Sequence, residues 1–274
     1  MRPTTPQPMP LELADPLRQA GARIAPLARR VLWYHEATST NDLASRLAED
    51  GAEEGTLVVA DRQTAGRGRM GRQWASPPGV GIYATVVLRP AAHVVPLLTI
   101  AAGVAIAEGI AAATGLAARV KWPNDVVVDD GEATVIGRKV AGILAEGGTS
   151  PDGAAWVVLG FGINVLPGAY PPDVAARATS LERELGRPID RGMVLAECLA
   201  ALASRYGGLQ AGDAAAVVAA WRTRAAATFG RRVEWDGDGR TQQGTAQDID
   251  PAGALLVRTE DGVRRIISGE VRWI

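Results

Sequence analysis

Four short segments carry side chains suited to chemistry on an anion. Gly66-Arg67-Gly68-Arg69-Met70-Gly71-Arg72-Gln73-Trp74 sets three arginines and an indole among three glycines. Arginine presents a rigid fork of donors to phosphate or carboxylate. Glycine lets a backbone turn and approach a ligand closely, and an indole covers an apolar or aromatic face. Lys121-Trp122-Pro123-Asn124-Asp125 places a cation, an amide and a carboxylate around a rigid turn. Arg138-Lys139-Val140-Ala141-Gly142-Ile143-Leu144 brings a charged pair into an apolar strand, and Gly160-Phe161-Gly162-Ile163-Asn164-Val165 ends another strand on an asparagine. Taken singly, these also read as a solvated turn, an ordinary β-turn, a strand-end lysine reaching solvent and a bulged strand end.

Gly66, Gly68 and Gly71 match G-x-G-x-x-G by letter, but their context excludes a dinucleotide site. That fingerprint opens a helix and has an acidic residue about twenty positions on. Here Ala75-Ser76-Pro77-Pro78-Gly79 cannot form a helix, and no acidic residue occurs between Asp61 and Glu108. No Gly-Lys-Ser/Thr follows, which excludes a Walker loop. The 274 residues are 47% hydrophobic, enough for one large domain with a small appendage. A net charge of −1 argues against a general nucleic-acid surface. One cysteine (Cys198) and two histidines (His35, His93) leave no disulfide framework, thiolate cluster or His-rich metal site. Cys198 reads as a small hydrophobe inside a helix. Met1–Pro10 lacks the apolar core of a signal peptide. Pro90–Ala107 is uncharged and near the lower limit for a membrane span. Its prolines, glycine, histidine and threonine mark instead a strand end followed by a buried helix. A cytoplasmic protein without membrane or nucleic-acid partners is expected.

The elements between these segments must hold them. Residues 1–30 read as a loosely ordered arm with a short helix around Leu11–Arg30. Val31–His35 reads as a strand, and Ser39 with Asp42 as a capping box opening a helix to about Asp50. Thr56–Arg62 and Gly81–Arg89 read as strands, and Val94–Thr114 as a helix apolar nearly all round, hence buried. Ala118–Lys121 and Asp125–Asp129 are predicted strands around the Trp-Pro-Asn turn. A polar segment at 129–138 looks like an excursion. Lys139–Glu146 and Ala155–Gly160 read as an antiparallel pair. Helices are predicted at Thr179–Leu185 (capping box Thr179/Glu182), Asp190–Leu209 and Asp213–Thr228, the last with Asp213 as N-cap. After Phe229, short β-runs separated by Asp-Gly and Gly turns have the grammar of a small antiparallel barrel. This divides the chain into an arm (1–30), a main domain (31–228) and a C-terminal barrel (229–274).

In this order, the segments make the chain resemble the biotin–protein ligases over about residues 31–274. These enzymes attach biotin to the biotin-carrier domain of acetyl-CoA carboxylase and related carboxylases. The likeness rests on Ser39-Thr40-Asn41, Gln63, the Gly-Arg-Gly-Arg loop, the Lys-Trp-Pro-Asn-Asp turn, Lys139–Leu144, Gly160–Asn164 and the ending Gly269-Glu270-Val271. It implies an α+β fold: a mixed β-sheet flanked by helices, related to class II aminoacyl-tRNA synthetases, with an SH3-like β-barrel as its tail. It implies two steps, biotinyl-5′-adenylate formation from biotin and ATP, then transfer to a lysine of the carrier protein. By resemblance, Arg69, Lys121, Asp125 and Lys139 are catalytic. Ser39, Thr40, Asn41, Gln63, Arg67, Gly68, Arg69 and Lys139 bind biotin. Arg69, Trp74, Lys121, Asn124 and Asn164 bind ATP or the adenylate, Trp74 by covering adenine. Asp125 either contacts Mg²⁺ or takes the proton of the incoming amine. The loop would close over the intermediate to exclude water. Residues 1–30 are too short and Pro-rich for the winged helix-turn-helix domain that some members use as a repressor, so operator binding is not expected. A monomer or weak homodimer is expected. The alternatives are a lipoate–protein ligase on the same fold and a non-catalytic biotin-binding or sensing module.

Overall fold

The computed structural model describes residues 5–129, 137–168, 170, 172–175, 177–237 and 239–274, without the side chains at 172, 173 and 226. Two sheets organise the chain. The larger contains β1 (Arg30–Ala37), β2 (Thr56–Gln63), β3 (Gly81–Leu88), β4 (Ala118–Lys121), β5 (Asp125–Val128), β6 (Arg138–Thr149) and β7 (Ala155–Asn164). Their order is β1-β2-β3-β7-β6-β5-β4. β1 and β2 run parallel, joined through helix α2 (Thr40–Glu49), and the other pairs are antiparallel. The sheet is therefore mixed, as the resemblance implies. The predicted 129–138 excursion falls largely on residues 130–136, outside the described residues.

Alternation along the strands assigns the two faces. Leu57, Val59, Ile82, Ala84, Leu159, Phe161 and Ile163 join one core with helices α3 (Leu98–Thr114) and α6 (Arg191–Gln210). Val58, Ala60, Val87, Trp156 and Val158 join a second, with Ala44 and Ala48 of α2. Val95–Thr114 is long and apolar enough to cross a membrane, but 67% of it is buried inside this chain. Cys198 on α6 lies directly against Gly109 on α3, where a Cβ would collide with its backbone. Helix α1 (Leu11–Ala20) is shorter than expected because Gly21 ends it at φ +48°. It is not loose. Leu13, Pro16, Leu17 and Ala20 are buried, and Glu12 pairs with Arg191 of α6 at 2.7 Å.

Further on come α4 (Pro172–Ala175), α5 (Leu181–Leu185) and α7 (Ala214–Ala225). Two predicted capping boxes do not form as read. Ser39 is the N-cap of α2 but makes no side-chain capping bond, and Asp42 pairs instead with Arg67. α5 begins after Ser180, and the Thr179 hydroxyl bonds to Glu184 rather than acting with Glu182. Asp190 and Asp213 do cap, accepting from Gly192, Met193 and Ala216 amides.

The smaller sheet holds β8 (Arg232–Gly237), β9 (Arg240–Ile249), β10 (Leu255–Thr259), β11 (Gly262–Ile266) and β12 (Val271–Trp273), in the order β11-β10-β9-β8-β12. The expected barrel is corrected to an open antiparallel ladder: among the described residues, β11 and β12 stay at its two edges. Closure needs strands long enough to tilt and stagger around an axis, and β12 has three residues. The ladder packs against the main domain. Val257, Ile249 and Val271 share the hydrophobic core that includes Trp221, and the buried Trp122 indole donates to the Gly253 carbonyl at 3.0 Å.

Candidate active site

The face of the larger sheet that carries α2 also carries a cavity of about 450 Å³, within the range of small-molecule sites. Its floor is glycine. Gly142 pairs with Gly162 and Leu144 with Gly160 across β6 and β7. A Cβ on Gly160 would strike Asn41, and one on Gly162 would strike the Trp74 indole. At Gly142 a Cβ would lie 3.0 Å from both Trp74 and the Lys139 ammonium. These glycines strip the sheet so that side chains from other elements can lie flat on it.

Lys139 reaches this face through a β-bulge. The β5–β6 register shifts, so that Val126 pairs with Ala141 and Val127 with Lys139. Val140 and Ala141 both enter the core, and Lys139 is turned to the cavity. Bulges re-aim side chains in this way. Its Nζ lies 2.5 Å from Asp125 and 5.1 Å from the Trp74 ring centroid, within cation–π reach of the indole. Asn124 is tied to β6 from the other side of the turn. It donates to the Ile143 carbonyl at 2.8 Å, and its own carbonyl accepts from Ile143 at 3.0 Å.

The closed end is polar and neutral. Buried Ser39, Thr40 and Asn41 at the start of α2 line it with Gln63 from the end of β2. Gln63 Oε1 accepts from the Thr40 amide at 2.8 Å, and Gln63 Nε2 donates to Ser76 Oγ at 2.8 Å. Ser76 donates on to the Trp74 carbonyl at 3.0 Å.

The arginine-rich loop is a small hairpin. Gly68 N donates to Arg72 O at 2.7 Å and Trp74 N to Gly66 O at 2.8 Å. Met70 (φ 57°) and Gly71 (φ 73°) turn the tip, both left-handed as tight hairpins require. Gly66 serves close packing, since a Cβ there would meet the Trp74 carbonyl at 2.5 Å. Arg67 is held by Asp42 and Glu146. At the mouth, Arg72 pairs with Glu270 and Arg69 donates to the Gly269 carbonyl at 3.5 Å.

Among the described residues, seven cations (Arg67, Arg69, Arg72, Lys121, Lys139, Arg177, Arg272) face two carboxylates (Asp125, Glu270) around this cavity. Burial pushes Lys121 below the usual lysine value, against the pull of Asp125 and with help from Lys139, Arg177 and Arg72. Burial likewise lowers Arg69, with Asp125 opposing and Arg72 adding. Desolvated like charges in a cleft mark a place where an anion is awaited.

The structure brings Ser39, Thr40, Asn41, Gln63, Arg67, Gly68, Arg69, Trp74, Lys121, Asn124, Asp125, Lys139 and Asn164 to this one cavity. Two placements add detail that the sequence did not carry. Arg67 is already flanked by carboxylates. Trp74 lies flat on the glycine floor, its N–H without a partner among the described residues. Asn164 is buried and donates to the Thr179 carbonyl at 3.1 Å. Sequence reasoning missed Arg72, Arg177, Glu270 and the glycine floor as site components. Arg72 was visible in the loop, and the alternating glycines of Gly160-Phe161-Gly162 were the available signal for the floor.

A model of the Biotin/lipoate A/B protein ligase family matches residues 34–164, and one of the Biotin protein ligase C terminal domain matches residues 228–272. The Bifunctional ligase/repressor BirA of Bacillus subtilis is 34% identical over 266 residues, 96% of this chain and 79% of that protein. Biotin--[acetyl-CoA-carboxylase] ligase of Paracoccus denitrificans is 35% identical over 246 residues, 85% of this chain and 96% of that protein. Among solved structures, the biotin protein ligase from Aquifex aeolicus in complex with biotin and ATP superposes with a TM-score of 0.75 at 30% identity, covering 90% of this chain and 99% of that one.

Proposed function

The chain belongs to the biotin protein ligase family, and from that premise we propose that it biotinylates a specific lysine of a biotin carboxyl carrier domain, that of acetyl-CoA carboxylase or a related carboxylase. In the first step a biotin carboxylate oxygen attacks the α-phosphorus of ATP. The bond to the bridging oxygen breaks and pyrophosphate leaves. In the second, the acceptor amine attacks the acyl carbon of biotinyl-5′-AMP, the carbon–oxygen bond breaks, AMP leaves and the amine loses a proton.

Two anions must meet before the first step, and negative charge then grows on the α-phosphoryl oxygens. Fixed cations aimed at that charge are usually the largest catalytic contribution. Lys139, at the junction of the neutral and charged ends, takes the biotin carboxylate. Lys121 and Arg69, both partly stripped of water, take the phosphates. The ureido ring of biotin enters the neutral end among Ser39, Thr40, Asn41 and Gln63. Trp74 offers the remaining indole face to the ligand. Asn124 and Asn164 hold the adenylate side. Gly68 keeps the hairpin backbone close to the carboxylate. Arg67 steadies the hairpin base. Once a substrate carboxylate draws Lys139 away, Asp125 is left beside the reaction centre and accepts the proton of the incoming amine.

Magnesium is expected with the nucleotide. No group of three or more His, Cys, Asp or Glu capable of holding a metal occurs among the described residues. Asp125 is the residue that would hold such an ion, as the alternative to its proton-accepting role, and the ion would offset the charge of the triphosphate. In this reading residues 31–228 hold the chemistry and 229–274 brace its mouth, where Arg72 pairs with Glu270.

The observation that carries this reading is one cavity with a neutral hydrogen-bonding end and a desolvated cationic end, joined by Lys139, Asp125 and Trp74. Exchange of labelled pyrophosphate into ATP tests it, with biotin and lipoate side by side. Exchange that needs biotin is expected. Exchange that needs lipoate moves the chain to lipoate ligation, and exchange with neither makes it a binding module.

A further inference from the structure

Glu146 has no part in the steps above. It stands on β6 two residues beyond Leu144, on the same face as Gly142. Its carboxylate oxygen Oε2 takes two groups from the cavity wall: the Asn41 amide at 2.8 Å, and the Arg67 guanidinium. Arg67 is held from its other side by Asp42 at 3.2 Å. Each ion pair is partly exposed and so individually weak. Their placement matters more.

A carboxylate only accepts hydrogen bonds. Asn41 must therefore turn its amine toward Glu146, where it also reaches the Leu144 carbonyl at 3.3 Å. Its oxygen is left for the Thr85 hydroxyl at 2.8 Å. Thr85 has one proton. With that proton on Asn41, its 2.9 Å contact with the Thr40 hydroxyl has Thr85 accepting. Gln63 Oε1 accepts from the Thr40 backbone N–H at 2.8 Å and lies 3.2 Å from the Thr40 hydroxyl, so its amide nitrogen points to Ser76. The fixed charge thereby sets the direction of the hydrogen bonds from β6 through Asn41 to Thr85, and the Thr40 backbone N–H sets that of Gln63 and Ser76, together the kind of chain in which partial satisfaction is costly.

We propose that Glu146 is a positioning residue with two duties. It fixes which donors and acceptors the closed end presents to a neutral, ureido-like head group, and it anchors the base of the 66–74 hairpin through Arg67. The first duty rests on the ligase reading, and the second does not.

Glu146→Gln is close in shape and removes the charge. In ligand-free protein, hydrogen exchange at the Gly68 and Trp74 amides, which close the hairpin, is expected to quicken by about fivefold or more as the local structure opens more often. Arg67→Met, made from the exposed side, should do the same, and the double variant should add little. Unchanged exchange in both single variants overturns the anchor, whatever the enzyme's activity. In pyrophosphate exchange, the Glu146→Gln biotin KM is expected to rise about tenfold, equivalent to ~1.4 kcal/mol, with the ATP KM and kcat held. An unchanged biotin KM, or equal rises for biotin and ATP, overturns the orienting duty. Wild-type protein that shows no biotin-dependent exchange refutes the ligase reading, and the orienting duty falls with it, while amide exchange still decides the anchor.

Discussion

At its closed end the cavity is walled by hydroxyls and amides that bond to one another; at its mouth it is ringed by arginines and lysines with, among the described residues, few carboxylates between them. The closed end is finished before any ligand arrives: Thr40, Asn41, Thr85, Gln63 and Ser76 already have partners. The mouth is incomplete, with Lys121 and Arg69 desolvated among other cations. A rigid neutral end selects by shape and hydrogen-bond pattern. A strained cationic end gains most when negative charge is delivered to it. On the proposed reading, recognition and chemistry draw on different physics within one pocket.

Substitutions at the two ends should separate accordingly. Lys121→Ala should cut biotin-dependent pyrophosphate exchange by about 10²–10³, the scale of losing one fixed stabilising group, ~2.7–4 kcal/mol. Calorimetric biotin affinity without ATP should stay as it was, and a matching loss there would erase the division. Lys139→Ala, at the junction, should weaken biotin binding itself by about 1.5–3 kcal/mol for a lost charge-assisted bond, read by the same calorimetry. Gly162→Ala would push a methyl into the Trp74 indole. A loss of about 1–3 kcal/mol from overpacking should appear in thermal unfolding, with faster release of the adenylate. At the neutral end, Thr85→Val should cost about 1 kcal/mol in biotin affinity and nothing in the ATP KM. An ATP KM that moves instead would put Thr85 on the wrong side of the comparison.

The subtlest test is pH. Burial holds Lys121 below the ordinary lysine value. Its folded pKa is then below its unfolded one, so the folded chain binds fewer protons between the two values and stability rises with pH through that window. Activity runs oppositely: exchange should decline as pH rises through the depressed value, earlier than for an exposed lysine. Lys121→Arg keeps its charge and should remove that alkaline limb. A limb that survives belongs to another group.

Sequence reasoning reached the ingredients of both ends because their residue types sit in short, contiguous segments. Individual strands were legible from alternation, their mixed sheet only from the resemblance, and the turn at Trp122-Pro123-Asn124 from its residue chemistry. What escaped depends on partners distant in the chain. Asp42 looked like half of a capping box, and only the fold brings Arg67 beside it. Glu146 looked like one polar residue in a strand, and its meaning comes from Asn41 and Arg67. The bulge that turns Lys139 inward is a mismatch between two strands, invisible in either alone. The turns of the C-terminal ladder were readable from Asp-Gly pairs, but whether its edges meet depends on the length of β12. The loop glycines suggested mobility, and the fold adds that Gly66 makes room for tight packing and Gly71 shapes a tip.

That tip has a consequence in time. A hairpin of this size closes in about 1–10 μs, far faster than a typical turnover of roughly 10 per second. Folding of the 66–74 hairpin cannot by itself clock the release of a reactive intermediate. What fastens the hairpin at its two ends is Arg67 at Asp42 and Glu146, and Arg72 at Glu270. Loosening either fastening should shorten the dwell time of the adenylate while leaving the hairpin's own closing rate unaltered.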